Sequence, residues 1–178
     1  MPIPRKRVPS DKNLGRAAPG SRESRILRNK GGCTVKEYTG DKIRNVAIVG
    51  HGGAGTTSLT EALLYRSGAI SRMCKVEDGQ TTTDFEPEEI KRGVSVSATL
   101  APVEWRDVKI NFIDTPGFAD FVAEVKGAFR AVDSVLIVVS ATSGVQIGTE
   151  QCWKLAEEAG LPRLIFVNKM DRENADYD

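Results

Sequence analysis

The chain has 178 residues, 40% of them apolar and 28% charged, with a formal net charge of +1; this is enough chain for one ordinary domain with a full core. It contains no apolar run of the ~20 residues that a membrane-spanning helix needs, and no secretory signal, so no membrane partner is expected. Three cysteines without C-x-x-C spacing and one histidine leave little material for a disulfide framework, a zinc site or a Ser-His-Asp triad, and a reducing cytoplasm is the expected compartment.

The charge averages two unlike pieces. Residues 1–34 carry nine basic and two acidic side chains, roughly +7, leaving roughly −6 for the remainder. That basic stretch mixes Pro, Gly and Ser with apolar residues at no regular period and reads as a disordered tail. An RNA-binding arm, an organelle transit peptide, or an untranslated stretch before a start at Val35 are the alternatives.

Residues 35–178 read as the organised part. Ile43 to Val49 has the composition of a buried strand, and it runs into Gly50-His51-Gly52-Gly53-Ala54-Gly55-Thr56-Thr57-Ser58. Thr57 to Ser67 follows as a helix closed by Gly68. Ala69 to Gly93 is polar and aperiodic, a long loop. Ser95 to Trp105 and Val108 to Ile113 form a hairpin about Arg106-Asp107, and Asp120 to Val132 is helical with Phe121, Val125, Ala128, Phe129 and Val132 along one stripe. Ser134 to Val139 reads as a central parallel strand, Thr149 to Ala159 as a helix ending at Gly160, and Leu164 to Val167 as a last strand. The alternation predicts an α/β fold, a mostly parallel sheet with helices on both faces and ligands at the C-terminal ends of its strands.

Three motifs sit at those ends. Gly50 to Ser58 fits the phosphate-loop pattern G-x-x-x-x-G-K-[ST] except at Thr56, where the pattern has lysine. Such loops curl backbone N–H groups around an anion and aim a helix N-terminus at it. Asp114-Thr115-Pro116-Gly117 offers a carboxylate to a magnesium ion through water and a glycine N–H to a terminal phosphate. Asn168-Lys169-Met170-Asp171 offers a carboxylate to the N1–H and N2–H₂ edge that guanine has and adenine lacks, with the lysine stem lying along the base. Each motif alone fits an ordinary turn. Their order, each after a strand, with Asp114 and Asn168 about 54 residues apart, is far more specific.

With Arg92-Gly93-Val94-Ser95 and Asp114 to Phe121, these residues resemble the GTPase domain of elongation factor G, and more closely that of its bacterial elongation factor G-like paralogues, over about Val35 to Asp178. The resemblance implies a phosphate-loop GTPase fold, in which Ala69 to Val96 is switch I and the turn from Asp114 onward is switch II. It further implies that Mg2+ is held by Thr57, Ser95 and Asp114, that GTP is the substrate, and that the ribosome is the partner of the full-length factor. Four positions depart from the family: Thr56 for the phosphate lysine, Phe118 for the histidine that positions the attacking water, Gly53 for aspartate and Ser95 for threonine. Lys75 and Arg92 are the candidates for a substitute cation. By the same resemblance the chain stops before the last strand and helix of such a domain, which reads as a fragment with the edge of its final strand exposed. The alternative function is a degenerate nucleotide-binding module without turnover.

His51 is expected to position the loop, Trp105 and Trp153 to pack, and Asp84, Glu86, Glu88 and Glu89 to form a solvated acidic run.

Overall fold

The computed structural model describes residues 26–28 and 34–175. Ile26–Arg28 (β1) pairs antiparallel with Thr34–Lys36 (β2), so part of the stretch read as a disordered tail has extended backbone. Residues 1–25 and 29–33, and with them most of the tail and its alternatives, lie outside the described residues.

Five further strands form one sheet: Ile43–Gly50 (β3), Thr99–Trp105 (β4), Val108–Asp114 (β5), Ser134–Ser140 (β6) and Arg163–Asn168 (β7), in the order β4-β5-β3-β6-β7. All neighbours are parallel except β4, which returns antiparallel to β5 through the turn at Arg106 and Asp107. Both turn residues have positive φ, 46° and 61°, the twist that a two-residue hairpin loop requires.

Side chains alternate across the sheet, as the period of two demands. Ala47, Val49, Val135 and Ile137 face a layer made by Val122–Phe129 (α3) and Ile147–Glu158 (α4), where Val125, Ala128, Phe129, Cys152 and Ala156 are buried. Ile48, Leu136 and Val138 face Thr56–Ser67 (α1), with Leu64 and, from β4 and β5, Ala101, Val103 and Phe112. The α/β architecture expected from the pattern is the one observed.

Three boundaries differ. The stretch from Ala69 to Gly93 is not wholly irregular: Pro87–Arg92 is a helix (α2), started by proline at its first turn and a reciprocal capping box between Glu86 and Glu89. Residues 95–98 do not join β4, because the N–H groups of Val96 and Ser97 donate to Glu89 and that of Ala98 to Glu124 instead of to a ladder. Helix α3 starts at Val122, after a 3₁₀ turn over Ala119–Phe121, and ends at Phe129, where i→i−3 bonds from Arg130 and Ala131 tighten and stop it.

The register decides where chemistry can occur. Ile48 lies opposite Asp114, Gly50 opposite Val138 and Ser140 opposite Asn168, so the C-terminal ends of β3, β5, β6 and β7 share one edge. β7 is the outer strand on its side, with Leu164 67% and Ile165 54% exposed, in keeping with the edge exposure expected. Among the described residues no helix is long and apolar enough to cross a membrane.

Candidate functional site

At that edge lies a cleft of about 750 Å³ whose lining includes His51, Gly52, Gly53, Gly55, Thr56, Thr57, Ser58, Ser95, Gly117, Phe118, Asn168, Lys169 and Asp171. The three motifs, distant in sequence, therefore meet in one place.

The phosphate loop is shaped by glycines at close approaches. A Cβ on Gly50 would stand 2.8 Å from the carbonyl oxygen of Val138, so the loop could not leave β3 past β6 with any larger residue. Gly55 has φ of +97° and begins α1, where a β-carbon is strained in any case. Gly117 meets Gly52: a Cβ there would lie 2.8 Å from the Gly52 nitrogen. Those two backbones touch, joining the first and second motifs.

The third motif is tied to the first by hydrogen bonds. Asn168 Nδ2 donates to the carbonyl of Ala54 at 2.9 Å, and Lys169 Nζ donates to the carbonyl of Gly53 at 2.7 Å. Lys169 adopts φ of 62°, which turns the chain back over the loop and leaves Asp171 at the cleft.

A polar cluster stands at the start of α1. Thr57 Oγ1 and Ser95 Oγ are 3.0 Å apart, and Ser95 Oγ donates to Asp84 Oδ1 at 2.7 Å. Thr83 Oγ1 donates to Asp114 Oδ2 at 3.0 Å, while Asp114 Oδ1 is buried and has no partner. Burial pushes the Asp114 carboxyl up to about 7, against the Thr83 hydrogen bond and the neighbouring hydroxyls of Thr57 and Thr56, which pull it down. Burial likewise raises Asp84. A buried carboxylate oxygen without a donor, near two cleft hydroxyls, is the arrangement a hydrated hard cation would satisfy, and oxygen ligands of this kind suit magnesium.

Some expected residues stand behind the cleft. Thr115 is fully buried, and both its N–H and its hydroxyl donate to the carbonyl of Ile48, fixing β5 to β3. Pro116, Gly50, Ala54 and Asp114 also back the wall instead of lining it. His51 packs against Gly148 at the start of α4, where a Cβ would meet its Nδ1 at 2.7 Å, which is a positioning contact. Phe118 lies over Gly52, its ring 2.9–3.1 Å from where a Cβ would be, and is 45% exposed at the cleft mouth.

Neither candidate substitute cation reaches the loop. Arg92 Nε pairs with Glu88 on the exposed face of α2, and neither it nor Lys75 lines the cleft. The lining residues that carry cations are Lys169 and Arg172, the second unforeseen. The acidic run is also not what solvation predicts: Asp84 and Glu89 are 5% and 1% exposed and serve as acceptors. Charged residues inside a polar stretch give no sequence signal for burial, so these two were missed. Trp105 and Trp153 stay at the surface beside Arg106 and Arg163, and Cys74 and Cys152 are free thiols, Cys33 lying outside the described residues.

The family profile described as "Elongation factor Tu GTP binding domain" matches residues 41–178. The chain is 44% identical over 135 residues to "Elongation factor G 2" of Borreliella burgdorferi, covering 76% of this chain and 20% of that protein. It is 42% identical over 139 residues to "Ribosome-releasing factor 2, mitochondrial" of Yarrowia lipolytica, covering 78% and 17%. A crystal structure of a Thermus thermophilus protein superposes with a TM-score of 0.73 at 48% identity, over 75% of this chain and 20% of that one. The chain thus spans about one-fifth of the length of the curated relatives it matches.

Proposed function

This chain belongs to the elongation factor Tu GTP binding domain family, and from that premise we propose that it binds magnesium–GTP in the cleft and hydrolyses it, as the nucleotide-binding part of an elongation factor G-like protein acting on the ribosome. The reading is carried by one observation above others: Asn168 and Lys169 hold the carbonyls of Ala54 and Gly53, so a guanine facing Asp171 would be set at a fixed distance from the phosphate loop.

Each residue then has a role. Backbone N–H groups of the loop from Gly53 to Thr57, with the N-terminus of α1, stabilise phosphate charge. Thr57 and Ser95 would hold the metal through their hydroxyls, with Asp114 and Asp84 placed to accept from its water. Magnesium held there would supply positive charge to offset that of the phosphates. Gly117 brings its N–H to the terminal phosphate, and Asp171 selects guanine by accepting from its N1–H and N2–H₂. Hydrolysis is in-line attack by water on the γ-phosphorus, which breaks the bond to the β–γ bridging oxygen and releases GDP and, after loss of the water's proton, inorganic phosphate, with catalysis by positioning and electrostatics. Phe118 neither donates to nor accepts from that water, so the intrinsic rate is low.

A second reading, binding without turnover, draws support from Thr56: it is 9% exposed and brings no charge to the phosphates, while the Nζ of Lys169, the lysine that lines the cleft, is engaged by Gly53. Release of phosphate from GTP by the purified chain, with and without ribosomes, separates the two. Turnover above the uncatalysed background supports hydrolysis, and stable binding with none supports the second reading.

A further inference from the structure

The turn that follows β7 gives three of its residues to the cleft. Lys169, with φ of 62°, opens it, and the N–H of Arg172 closes it on the Lys169 carbonyl at 3.2 Å. Lys169, Asp171 and Arg172 line the cleft, whereas Met170 does not and is 52% exposed. Of the two cations, Lys169 is committed, its Nζ donating to the carbonyl of Gly53 at 2.7 Å. The guanidinium of Arg172 has no hydrogen bond, ion pair or ring contact among the described residues.

The place of this turn decides what Arg172 can meet. Phosphate charge is stabilised at the N-terminus of α1, among Gly55, Thr56 and Thr57. Arg172 stands one residue beyond Asp171, on the turn that the nucleotide reading gives to the base. Phe166, two residues before Asn168 and so on the same face of β7, lines the cleft as well. An aromatic ring, a carboxylate and a planar cation are the set that a flat heteroaromatic with donors along one edge satisfies. Asp171 takes the edge, which leaves the faces. A guanidinium is planar, weakly hydrated and stacks on aromatic faces, whereas the ammonium of a lysine is a compact, strongly hydrated charge.

We propose that Arg172 is a base-binding residue, its guanidinium stacking on a face of the guanine whose edge Asp171 accepts. This deepens the nucleotide reading and rests on it for the presence of guanine in the cleft. The contact is to the base and not to the phosphates, so it adds affinity without replacing the charge that Thr56 fails to bring. Every purine has a π-face, so stacking strengthens binding and leaves the choice of guanine over adenine to Asp171.

Calorimetric titration of the intact chain with unlabelled GDP and magnesium tests it, through substitutions that separate the plane of the side chain from its charge. Arg172→Tyr keeps a planar face and removes the charge; Arg172→Lys keeps the charge and removes the plane. Arg172→Ala and Arg172→Lys are each expected to weaken GDP binding about threefold to thirtyfold, and Arg172→Tyr to stay within about threefold of the unsubstituted chain. The opposite order, with Arg172→Lys retaining affinity and Arg172→Tyr losing it, would overturn stacking in favour of a contact with phosphate. Because the guanidinium has no partner in the described fold, the melting temperature without nucleotide should be the same in every variant. A lower melting temperature in step with the lost affinity would overturn the proposal, because Arg172 would then be a support of the fold. GDP binding that is indifferent to Arg172 overturns the proposal alone, whereas no binding of GDP by the unsubstituted chain overturns the nucleotide reading and the proposal with it.

Discussion

The side-chain amide of Asn168 donates to the backbone carbonyl of Ala54 across 114 residues of sequence, at 2.9 Å. It welds the end of β7 to the phosphate loop, and Gly55 has no side chain because a Cβ there would collide with the same Nδ2. Asn168→Ala removes the weld and leaves a carbonyl without its donor. The expected result is a loss of about tenfold to a hundredfold in guanine-nucleotide affinity by fluorescence titration, with far-ultraviolet circular dichroism unchanged.

Asp171 lines the cleft, and in the proposed function it is the acceptor for the guanine edge. Asp171→Asn exchanges one acceptor oxygen for a donor, so GDP loses a pairing while xanthosine diphosphate, whose C2 bears oxygen in place of NH₂, gains one. Competition titrations should show the preference between these two nucleotides reversing. An unchanged ranking would place the base elsewhere.

The Asp114 carboxyl is raised by burial to about 7 from an unfolded value near 3.9. Its contribution to stability is fully present below about pH 4 and is lost as pH rises through about 7, because the native state must then hold an uncompensated buried charge. Asp84 shifts in the same direction. The melting temperature of the nucleotide-free chain is expected to fall between about pH 4 and pH 7, with this group accounting for at most about 4 kcal/mol of the stability lost. Asp114→Asn should flatten that dependence.

Gly117 and Gly52 touch through their backbones. Gly117→Ala puts a Cβ 2.8 Å from the Gly52 nitrogen, against backbone that has no rotamer to escape into. The two motifs must separate, so binding of a triphosphate should weaken more than binding of a diphosphate, as paired titrations with a non-hydrolysable GTP analogue and GDP would show.

How far the sequence reaches is seen residue by residue. That Gly50 to Ser58, Asp114 to Gly117 and Asn168 to Asp171 stand at strand ends was legible because each interrupts an apolar strand with residues whose chemistry is local: glycines for close approach, carboxylates and an amide. The sheet followed from strand periodicity. Glu61, Asp84 and Glu89 were not readable, since their burial depends on N–H and O–H donors supplied by segments distant in space, and a carboxylate reads as solvated until its donors are known. Helix α2 was missed for the same reason: its capping box is made by acidic residues that composition assigns to a solvated run. Thr115, by contrast, was read as a nucleotide contact because it belongs to a motif, yet its bonds go to Ile48.

Whether this cleft holds a guanine nucleotide despite Thr56 is decided by equilibrium binding of a fluorescent GDP to the intact chain beside Thr56→Lys, with magnesium present and ATP as competitor. The expected result is saturable binding by the natural chain that GTP displaces and ATP does not. Thr56→Lys should bind about tenfold to a hundredfold more tightly, through the charge-assisted bonds a lysine adds. No binding by either chain, or displacement by ATP as readily as by GTP, would contradict it.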